Sequence, residues 1–319
     1  VLDKAGYNAW REFYVNDAGN QIGKFGCSLE ARYLQIFKGD EIEFPEDGYQ
    51  GEDIKDLAKE YADLNGDSLV NVSAEERKKA LVDYALPKNI KKMQADMEKY
   101  KIFYDKWFFE SELHKSGAVK AVVDLLTEKG LTYEKDGAVW YKNKEVLTQK
   151  LLKEGKSQKY IDNLELKDDV LIRQNGNPTY FTADIAYHKN KFDRGFTTLI
   201  DVWGADHHGH VMRMKGAMDA IGYDGDKLNV VLMQLVKLVK DGELVKMSKR
   251  TGKAIQLGDL LDEVPVDSAR FLFNTKEANT QMDFDLDLAV SQDNQNPVYY
   301  VQYAHARICS IFKSLAKEG

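Results

Sequence analysis

The protein has 319 residues, of which 43% are hydrophobic and 30% are charged, and its formal net charge is −7. This composition excludes a disordered chain and predicts a folded protein of about two or three packed domains. The negative charge excludes generic attraction to phosphate backbones, so contact with nucleic acid must come from local basic patches.

The cysteines and the apolar runs exclude two further classes of protein. Cys27 and Cys309 are far apart and form no C-x-x-C pair, which argues against a disulfide framework or a cysteine zinc site and predicts a cytoplasmic setting. No apolar run approaches the roughly 20 residues that span a bilayer, so no membrane contact is expected.

The first residues predict the end of a helix, closed at Ala5-Gly6, and a strand at Trp10 to Val15. They lack the basic flank and apolar core of a secretory signal. The chain is therefore expected to start inside a domain.

Two helices are predicted next and are expected to lie against a sheet. Residues 18–39 are interpreted as helical with glycine breaks. Residues 51–64 form an amphipathic helix, because four apolar side chains recur on one face: Ile54, Leu57, Ala58 and Tyr61.

From Asn71 the sequence changes character. Ser73-x-x-Glu76 is a capping-box pattern that opens a charged helical stretch, which Pro87 is expected to divide and which continues through the aromatic residues after Lys99. Three of those aromatic residues are predicted to be core rather than an RNA-stacking platform: Phe103, Trp107 and Phe108.

An alternating segment, residues 130–143, predicts a hairpin turned at Asp136-Gly137. Together with the preceding helices it makes residues 46–167 an expected α+β insertion.

Strand and helix patterns then alternate. Residues 168–173 predict a strand and 182–192 a helix capped by Thr182. Leu199 to Trp203 is a short apolar strand that Gly204 ends, and 211–221 has helical spacing.

The stretch WGADHHGH, Trp203 to His210, holds three of the six histidines. It can be a metal site, a nucleotide-binding His-x-Gly-His element, or an ordinary structural segment with polar side chains on its surface. Its position between a buried strand and a helix favours a ligand site, because ligands collect at the carboxyl ends of strands in α/β sheets.

Neither a metal site nor the His-x-Gly-His element explains these histidines well. His207, His208 and His210 diverge from a turn, whereas zinc-binding histidines on a helix share a face at i and i+4, so no metal site is predicted. The His-x-Gly-His match lies only 246 − 210 = 36 residues before a Lys-Met-Ser-Lys sequence, although these two elements normally belong to opposite halves of the sheet.

The segment VVLMQLVKLVKDGELVKMSKRTG predicts a strand, a hairpin turned at Asp241-Gly242, and a cationic loop. A loop with two lysines and a serine hydroxyl suits a leaving pyrophosphate, because lysine places point charge on phosphate oxygens.

These motifs resemble a known family. GADHHGH fits G-x-D-x-x-x-H and KMSKR fits K-M-S-K-[SR] of class I aminoacyl-tRNA synthetases. The strings FPEDGYQGEDI, PTYFTADIAYH, DVWGADHHGH, EVPVDSARF and NPVYYVQYAHARI are similar to arginyl-tRNA synthetases in particular, in family order along nearly the whole chain. The resemblance implies formation of arginyl-tRNA from L-arginine, ATP with Mg²⁺ and tRNA(Arg), through an arginyl-adenylate. The enzyme is expected to be a monomer.

The resemblance also implies site residues. The turn expected to contact the adenosine holds Gly204, Asp206 and His210, and Asp206 suits the ribose hydroxyls. Lys246 and Lys249 are the catalytic residues that hold the β- and γ-phosphates, with Met247 and Ser248 in the same ATP-binding loop. The substrate arginine is assigned to Tyr180, Asp184 and, by a loose alignment, His207. A buried carboxylate facing a guanidinium forms a charged pair that neutral competitors do not reproduce.

The expected fold is α/β, a Rossmann-like parallel-sheet catalytic core split by an α+β insertion and followed by the start of an α-helical bundle. The expected segments are 1–45, the first part of the core; 46–167, the insertion; 168–240, the second half of the core; 241–285, the KMSKR loop with a stem-contact-like segment; and 286–319, the start of the anticodon-binding bundle.

Two expectations concern the C-terminal end and the chain's extent. Asn296-Pro297 starts a helix whose residues Val301, Ala304, Ile308 and Ile311 have core spacing. Since the family's own His-x-Gly-His element lies upstream of VLDKAGY, the chain is expected to be a fragment that is inactive alone. Another ATP-dependent adenylyl-transferring enzyme, and a non-catalytic RNA- or metal-binding module, stay open as alternatives.

Overall fold

The computed structural model describes residues 1–245 and 255–318, and it divides into two compact units. The first unit comprises the described residues of Val1–Trp107, Val236–Glu277 and Met282–Gly319. The second comprises Phe108–Leu235 and Ala278–Gln281.

The described helices alternate with short strands along the chain. In chain order they are α1 Gly19–Lys38, α2 Glu52–Asn65, α3 Ala74–Lys99, α4 Glu110–Lys115, α5 Ala118–Glu128, α6 Asn143–Lys153, α7 Gln158–Asp162, α8 Tyr180–Asp193, α9 His208–Ile221, α10 Leu257–Glu263, α11 Val266–Phe273, α12 Leu286–Val290 and α13 Pro297–Glu318.

The strands form small sheets. They are β1 Glu12–Val15, β2 Lys106–Phe109, β3 Thr132–Lys135, β4 Ala138–Tyr141, β5 Asp169–Ile172, β6 Leu199–Gly204, β7 Leu228–Met233, β8 Val236–Lys240, β9 Glu243–Leu244 and β10 Met282–Asp285. The sheet orders are β1-β2, β3-β4-β5, β6-β7 and β10-β8-β9. The fold is therefore mixed α/β, with parallel pairing in β6-β7 and β10-β8.

The first helices pack on one another rather than on a sheet, which corrects the sequence expectation. Their buried cluster draws its members from α1, α2, α3 and the connection between α2 and α3. Helix α1 also runs without a break through Gly23 and Gly26. A Cβ at Gly26 would lie 3.2 Å from Val82 of α3, so this glycine permits close helix packing instead of ending the helix.

Helix α3 confirms one expectation and corrects another. Ser73 caps it by accepting a hydrogen bond from the Glu76 amide at 3.2 Å, as the capping pattern predicts. Pro87 does not divide the helix. A proline removes one backbone donor, and buried Ala85 and Ile90 on either side pack both halves into the protein.

The aromatic residues after α3 do not share one environment. The helix ends at Lys99, so the following segment is loop and strand rather than helix. Phe108 is buried and Trp107 is half-buried and stacked on Phe13, but Phe103 is 58% exposed. The core prediction is therefore wrong for Phe103.

The hairpin at Asp136-Gly137 is confirmed, with β3 and β4 antiparallel and both turn residues at positive φ, 52° and 72°. Strand β4 also pairs antiparallel with β5. The last hairpin of the expected insertion and the first strand of the expected second half of the core thus share one sheet.

The segment after β5 brings another correction. Helix α8 begins at Tyr180 with Thr179 in the N-cap position, so Thr182 is not the cap. Instead, the buried Thr182 hydroxyl donates to the Leu171 carbonyl at 2.7 Å, and the Thr179 hydroxyl donates to Val170. Both threonines thereby fasten the start of α8 to β5.

The C-terminal predictions are confirmed in part. Asp241 and Gly242 turn the β8-β9 hairpin with positive φ, and α13 starts at Pro297. The stripe at core spacing on α13 is exposed, including Val301, Ile308 and Ile311. Among the described helices, none has the length and apolarity needed to cross a membrane.

Candidate functional site

The histidine-rich stretch lies where the sequence predicts it, between a strand and a helix of the second unit. Strand β6 ends at Gly204, one 3-10 turn covers Ala205–His207, and α9 begins at His208. Within residues 1–245 and 255–318, no group of three His, Cys, Asp or Glu side chains could hold a metal ion.

The turn presents one carboxylate to solvent. The Asp206 side chain is 81% exposed, and His207 Nε2 lies 3.7 Å from its Oδ2 atom. A Cβ at Gly204 would lie 2.5 Å from Asp206 Oδ1, so the carboxylate occupies the space that a side chain at 204 would fill. A side chain at position 204 would therefore displace the Asp206 carboxylate from this position.

Helix α8 supplies two predicted residues in its first turns. Tyr180 is its first residue and is 41% exposed, and Asp184 follows four residues later on the same face. The Asp184 side chain is one-third exposed, and His210 from α9 lies 3.0 Å from its Oδ2 atom. Two residues 26 positions apart in sequence thus contact each other across α8 and α9.

A third residue fixes the role of His210. Arg213 Nη2 lies 3.0 Å from His210 Nδ1, and a guanidinium can only donate, so Nδ1 accepts. The proton of the neutral ring is then on Nε2, which donates to Asp184. Arg213 Nη1 in turn donates to Asp169 Oδ1 on β5. The order of contacts is Asp169, Arg213, His210, Asp184.

Aromatic rings surround the His210 imidazole. Trp203 lies 5.2 Å from it and Phe181 5.6 Å from it, measured between ring centroids. His207 is farther out, 6.4 Å from His210 and 6.3 Å from Trp203, and its side chain is 58% exposed. His207 borders this aromatic group and makes no hydrogen bond to Asp184 among the contacts of the described residues.

A buried ionic group lies beside Asp184, between α8 and β6. Asp201 of β6 accepts from His188 Nε2 and, at 2.7 Å, from Lys191 Nζ, both on α8. Burial alone acts to raise the pKa of Asp201, but His188 and Lys191 outweigh it and hold the pKa well below its usual value. His188 Nδ1 also contacts the Asp184 carbonyl at 2.7 Å, which ties the backbone under Asp184 to β6.

The far end of the chain of contacts is half-buried at Asp169, which lies opposite the buried Tyr141. Burial raises the pKa of Asp169, although the Arg213 guanidinium acts to lower it. Burial raises the pKa of Tyr141 well above its usual value as well, and Tyr141 pairs with Asp169 across β4 and β5. Within the described parts of the chain, Tyr141 Oη and Asp169 Oδ2 have no hydrogen-bond partner.

The structure thus brings together residues that the sequence assigned to two ligands. His210, expected in the nucleotide turn, contacts Asp184, expected at the arginine side chain, and Tyr180 lies on the same face of α8. The predicted lysine-loop residues lie outside the described residues: Lys246, Met247, Ser248 and Lys249.

Sequence reasoning missed Arg213 and Asp169. The spacing His210-x-x-Arg213 on a predicted helix was a usable signal, because residues three apart lie on one face. Asp169 offered no comparable signal, since it reaches Arg213 from a strand 44 positions earlier.

Comparisons with known proteins agree on one family. A sequence model of the family described as "tRNA synthetases class I (R), catalytic domain" matches residues 1–309. The arginine–tRNA ligase of Ruminiclostridium cellulolyticum is 57% identical over 321 residues, which covers 100% of this chain and 54% of the relative. That of Caldanaerobacter subterraneus is also 57% identical, with the same coverage. The chain spans about half the length of the curated relatives it matches.

Solved structures show the same fold. A crystal structure of an arginyl-tRNA synthetase from Campylobacter jejuni is 37% identical with a TM-score of 0.81, covering 98% of this chain and 64% of that one. The Thermus thermophilus arginyl-tRNA synthetase is 19% identical with a TM-score of 0.66, covering 98% of this chain and 59% of that one, which is a likeness of fold.

Proposed function

Because the chain belongs to the arginyl-tRNA synthetase family of class I enzymes, we propose that the complete gene product joins L-arginine to tRNA(Arg). In this proposal ATP first activates the amino acid as an arginyl-adenylate, and the arginyl group then passes to tRNA. The observation that carries the substrate assignment is the Asp184 carboxylate, held on α8 and hydrogen-bonded by a neutral imidazole.

Asp184 is suited to a guanidinium for reasons of charge and geometry. Among the contacts of the described residues, Asp184 meets His210 at Oδ2 only, and the Nε2–H tautomer brings no positive charge, so Oδ1 can accept from a ligand. A guanidinium donates several hydrogen bonds in a planar fork, and a carboxylate is its best acceptor. Tyr180, one helical turn away, lines the same face.

The turn after β6 fits a nucleoside. Asp206 is exposed, and no lysine or arginine among the described residues pairs with its carboxylate, so it can accept hydrogen bonds from the two ribose hydroxyls. Gly204 leaves room for that carboxylate, as the close approach to a Cβ position shows. We assign Gly204, Asp206 and the neighbouring His210 to the adenosine side of the pocket, as the family resemblance implies.

The chemical step in this proposal is attack of the arginine carboxylate oxygen on the α-phosphorus of ATP. The bond from that phosphorus to the bridging oxygen breaks, and pyrophosphate leaves with the electron pair. Lys246 and Lys249 are assigned to the β- and γ-phosphates from sequence, with Met247 and Ser248 beside them. Mg²⁺ would bind together with the ATP phosphates, and no residue described in the structure is assigned to it.

The finer fold description also belongs to this proposal. The parallel pair β6-β7, with α8 and α9 beside it, is interpreted as the second half of a Rossmann-like core, and α13 as the start of the anticodon-binding bundle. The likeness of fold to the Thermus structure supports this assignment. We further propose a monomeric, cytoplasmic enzyme.

ATP–pyrophosphate exchange by the complete gene product tests the function. The assay is run with each amino acid in turn, in the presence and absence of tRNA(Arg). Exchange that depends on L-arginine and on no other amino acid is expected. Exchange stimulated by a different amino acid would overturn the substrate assignment, and the absence of exchange under every condition would overturn the activity.

A further inference from the structure

We propose that His188 is a positioning residue, whose imidazole is protonated on both nitrogens and holds the Asp184 carbonyl on α8 to the Asp201 carboxylate on β6. The charge of the ring and its two contacts are properties of the protein alone. The effect on arginine binding rests on the proposed function, because Asp184 is the residue assigned there to the guanidinium. The sequence motifs assign His188 to no ligand.

The two ring nitrogens of His188 both face oxygen atoms that accept hydrogen bonds. Nδ1 lies 2.7 Å from the Asp184 carbonyl oxygen, and Nε2 contacts Asp201 Oδ2. A neutral imidazole carries one N–H, so at one of these contacts its lone pair would face the lone pairs of an oxygen. Both contacts are satisfied only when both nitrogens donate, which gives the ring a positive charge.

A second cation decides where the proton between His188 and Asp201 resides. Lys191 Nζ donates to Asp201 Oδ1 at 2.7 Å, and this contact favours the ionised carboxylate whatever the state of the imidazole. Burial acts to raise the pKa of Asp201, but its two cationic partners hold that pKa well below its usual value. Asp201 is therefore ionised at neutral pH, and the proton belongs to His188.

The surroundings of the ring suit a charged imidazole. His188 is 2% exposed, so water does not compete with the two acceptors. The rings of Tyr187 and Trp203 lie beside it, 5.7 and 6.2 Å away between centroids. One carboxylate and two cations leave an excess positive charge, which the Tyr187 ring partly offsets, because Lys191 Nζ lies 4.2 Å from its centroid.

His188 joins the two elements that carry the proposed ligand contacts. Asp184 lies in the second turn of α8, and β6 ends at Gly204, just before the turn that holds Asp206. Because both hydrogen bonds of His188 come from one rigid ring, they fix the backbone under Asp184 relative to β6. Loss of this ring should let the first turns of α8 move and so displace the Asp184 carboxylate from a guanidinium.

The charge of His188 is measured by ¹H–¹³Cε1 correlation spectra of the histidine-labelled complete gene product, because these shifts differ between a charged and a neutral imidazole. At about pH 8 the His188 signal should be that of a doubly protonated ring, whereas an ordinary exposed histidine, with a pKa of about 6.5, is neutral there. In D201N the asparagine amide can donate to Nε2, so the ring should become neutral and keep its proton on Nδ1. A neutral His188 in the unmodified protein would overturn the proposal.

Two variants assign the signal. It is the one that is absent from H188Q, and it is also the one that changes its charge state in D201N. If H188Q does not fold, as judged by circular dichroism, D201N assigns the signal and the unmodified protein still decides the charge of the ring. If no histidine changes its charge state in D201N, the proposal is wrong.

Kinetics separate positioning from a merely structural role. H188Q keeps a donor that can reach Asp201 but loses the contact to the Asp184 carbonyl. In ATP–pyrophosphate exchange the KM for arginine should rise by about tenfold, with kcat within about threefold. The split is expected because the guanidinium lies at the opposite end of arginine from the reacting carboxylate, so its contacts are the same before and in the transition state.

K191M is the matched control, because it removes the other donor to Asp201 and leaves the His188 contact to Asp184 in place. It should keep the KM for arginine within about twofold. An unchanged KM in H188Q, or the same rise in K191M, would overturn the positioning role. If the unmodified enzyme shows no arginine-dependent exchange, the proposed function fails instead, and the spectra still decide the charge of His188.

Discussion

The substitution Asp184→Asn is a direct test of the proposed arginine site, because it removes one charge and keeps the shape of the side chain. The asparagine oxygen can still accept from His210 Nε2, so the contact at 3.0 Å and the packing of α8 should persist. What is lost is the attraction between a carboxylate and the guanidinium of the substrate. The asparagine also turns a donor toward a ligand that consists of donors.

The size of the effect follows from distance and exposure. Two unit charges about 4 Å apart attract by about 4 kcal/mol at an effective dielectric constant of about 20. The Asp184 side chain is 33% exposed, so solvent screens part of this attraction, and about half of it is retained. A loss of about 2 kcal/mol corresponds to a KM for arginine that is about 30-fold higher.

Pyrophosphate exchange with L-citrulline as a competitor isolates the charge. Citrulline has a neutral ureido group in place of the guanidinium, so its inhibition constant should change little while the KM for arginine rises. The control is Asp193→Asn on the same helix, whose partners are Lys189 and Tyr223, and it should keep the KM within about twofold. A KM within twofold in Asp184→Asn, or the same increase in the control, would refute the reasoning.

Three further predictions concern stability. Arg77→Met should lower the free energy of unfolding by about 3–5 kcal/mol, since Arg77 is buried against Glu30 and three carbonyls, whereas Lys79→Met at an exposed pair should cost under about 1 kcal/mol; urea denaturation measures both. Pro87→Ala should raise the free energy of unfolding by about 1–3 kcal/mol and with it the denaturation midpoint, because alanine restores the missing backbone donor of α3. An unchanged or lower midpoint would contradict this. The free energy of unfolding should be higher with Asp201 than in Asp201→Asn, because the folded protein lowers the pKa of this carboxyl. That difference should be fully present above the unfolded pKa near 3.8 and should shrink as the pH falls below it. A difference that grows toward acid pH would contradict this prediction.

Local turn and capping patterns are what the sequence predicts best. Both Asp-Gly hairpins, at residues 136–137 and 241–242, form as expected, because positive φ at two adjacent positions is a local requirement. Ser73 likewise caps α3 through a contact only three residues away. The end of β6 at Gly204 and the start of α9 follow from a change of period that is visible in the sequence.

Predictions that depend on distant packing are less successful. Pro87 interrupts no helix because buried residues on both sides of it, Ala85 and Ile90, hold α3 in place, and Gly26 breaks no helix because Val82 lies against it. The sequence predicts Thr182 as a helix cap, but its hydroxyl donates instead to the Leu171 carbonyl on β5. In each case a tertiary partner outweighs the local preference.

The same difference between local patterns and distant contacts holds for the candidate site. The residue types and the family motifs identified Asp184 and His210 separately, but no pattern in the sequence shows that they touch. Their contact joins two helices across 26 positions, and Asp169 joins the group from 44 positions before Arg213. The geometry therefore adds the connection between the residues, and with it the contacts of Arg213 and Asp169.

A crystal structure of the complete gene product with L-arginine bound tests the central claim most directly. The account predicts the guanidinium within hydrogen-bond distance of the Asp184 carboxylate, with His210 still donating to Oδ2 and Tyr180 beside the substrate. A guanidinium bound elsewhere, with Asp184 facing solvent or another part of the substrate, would contradict it.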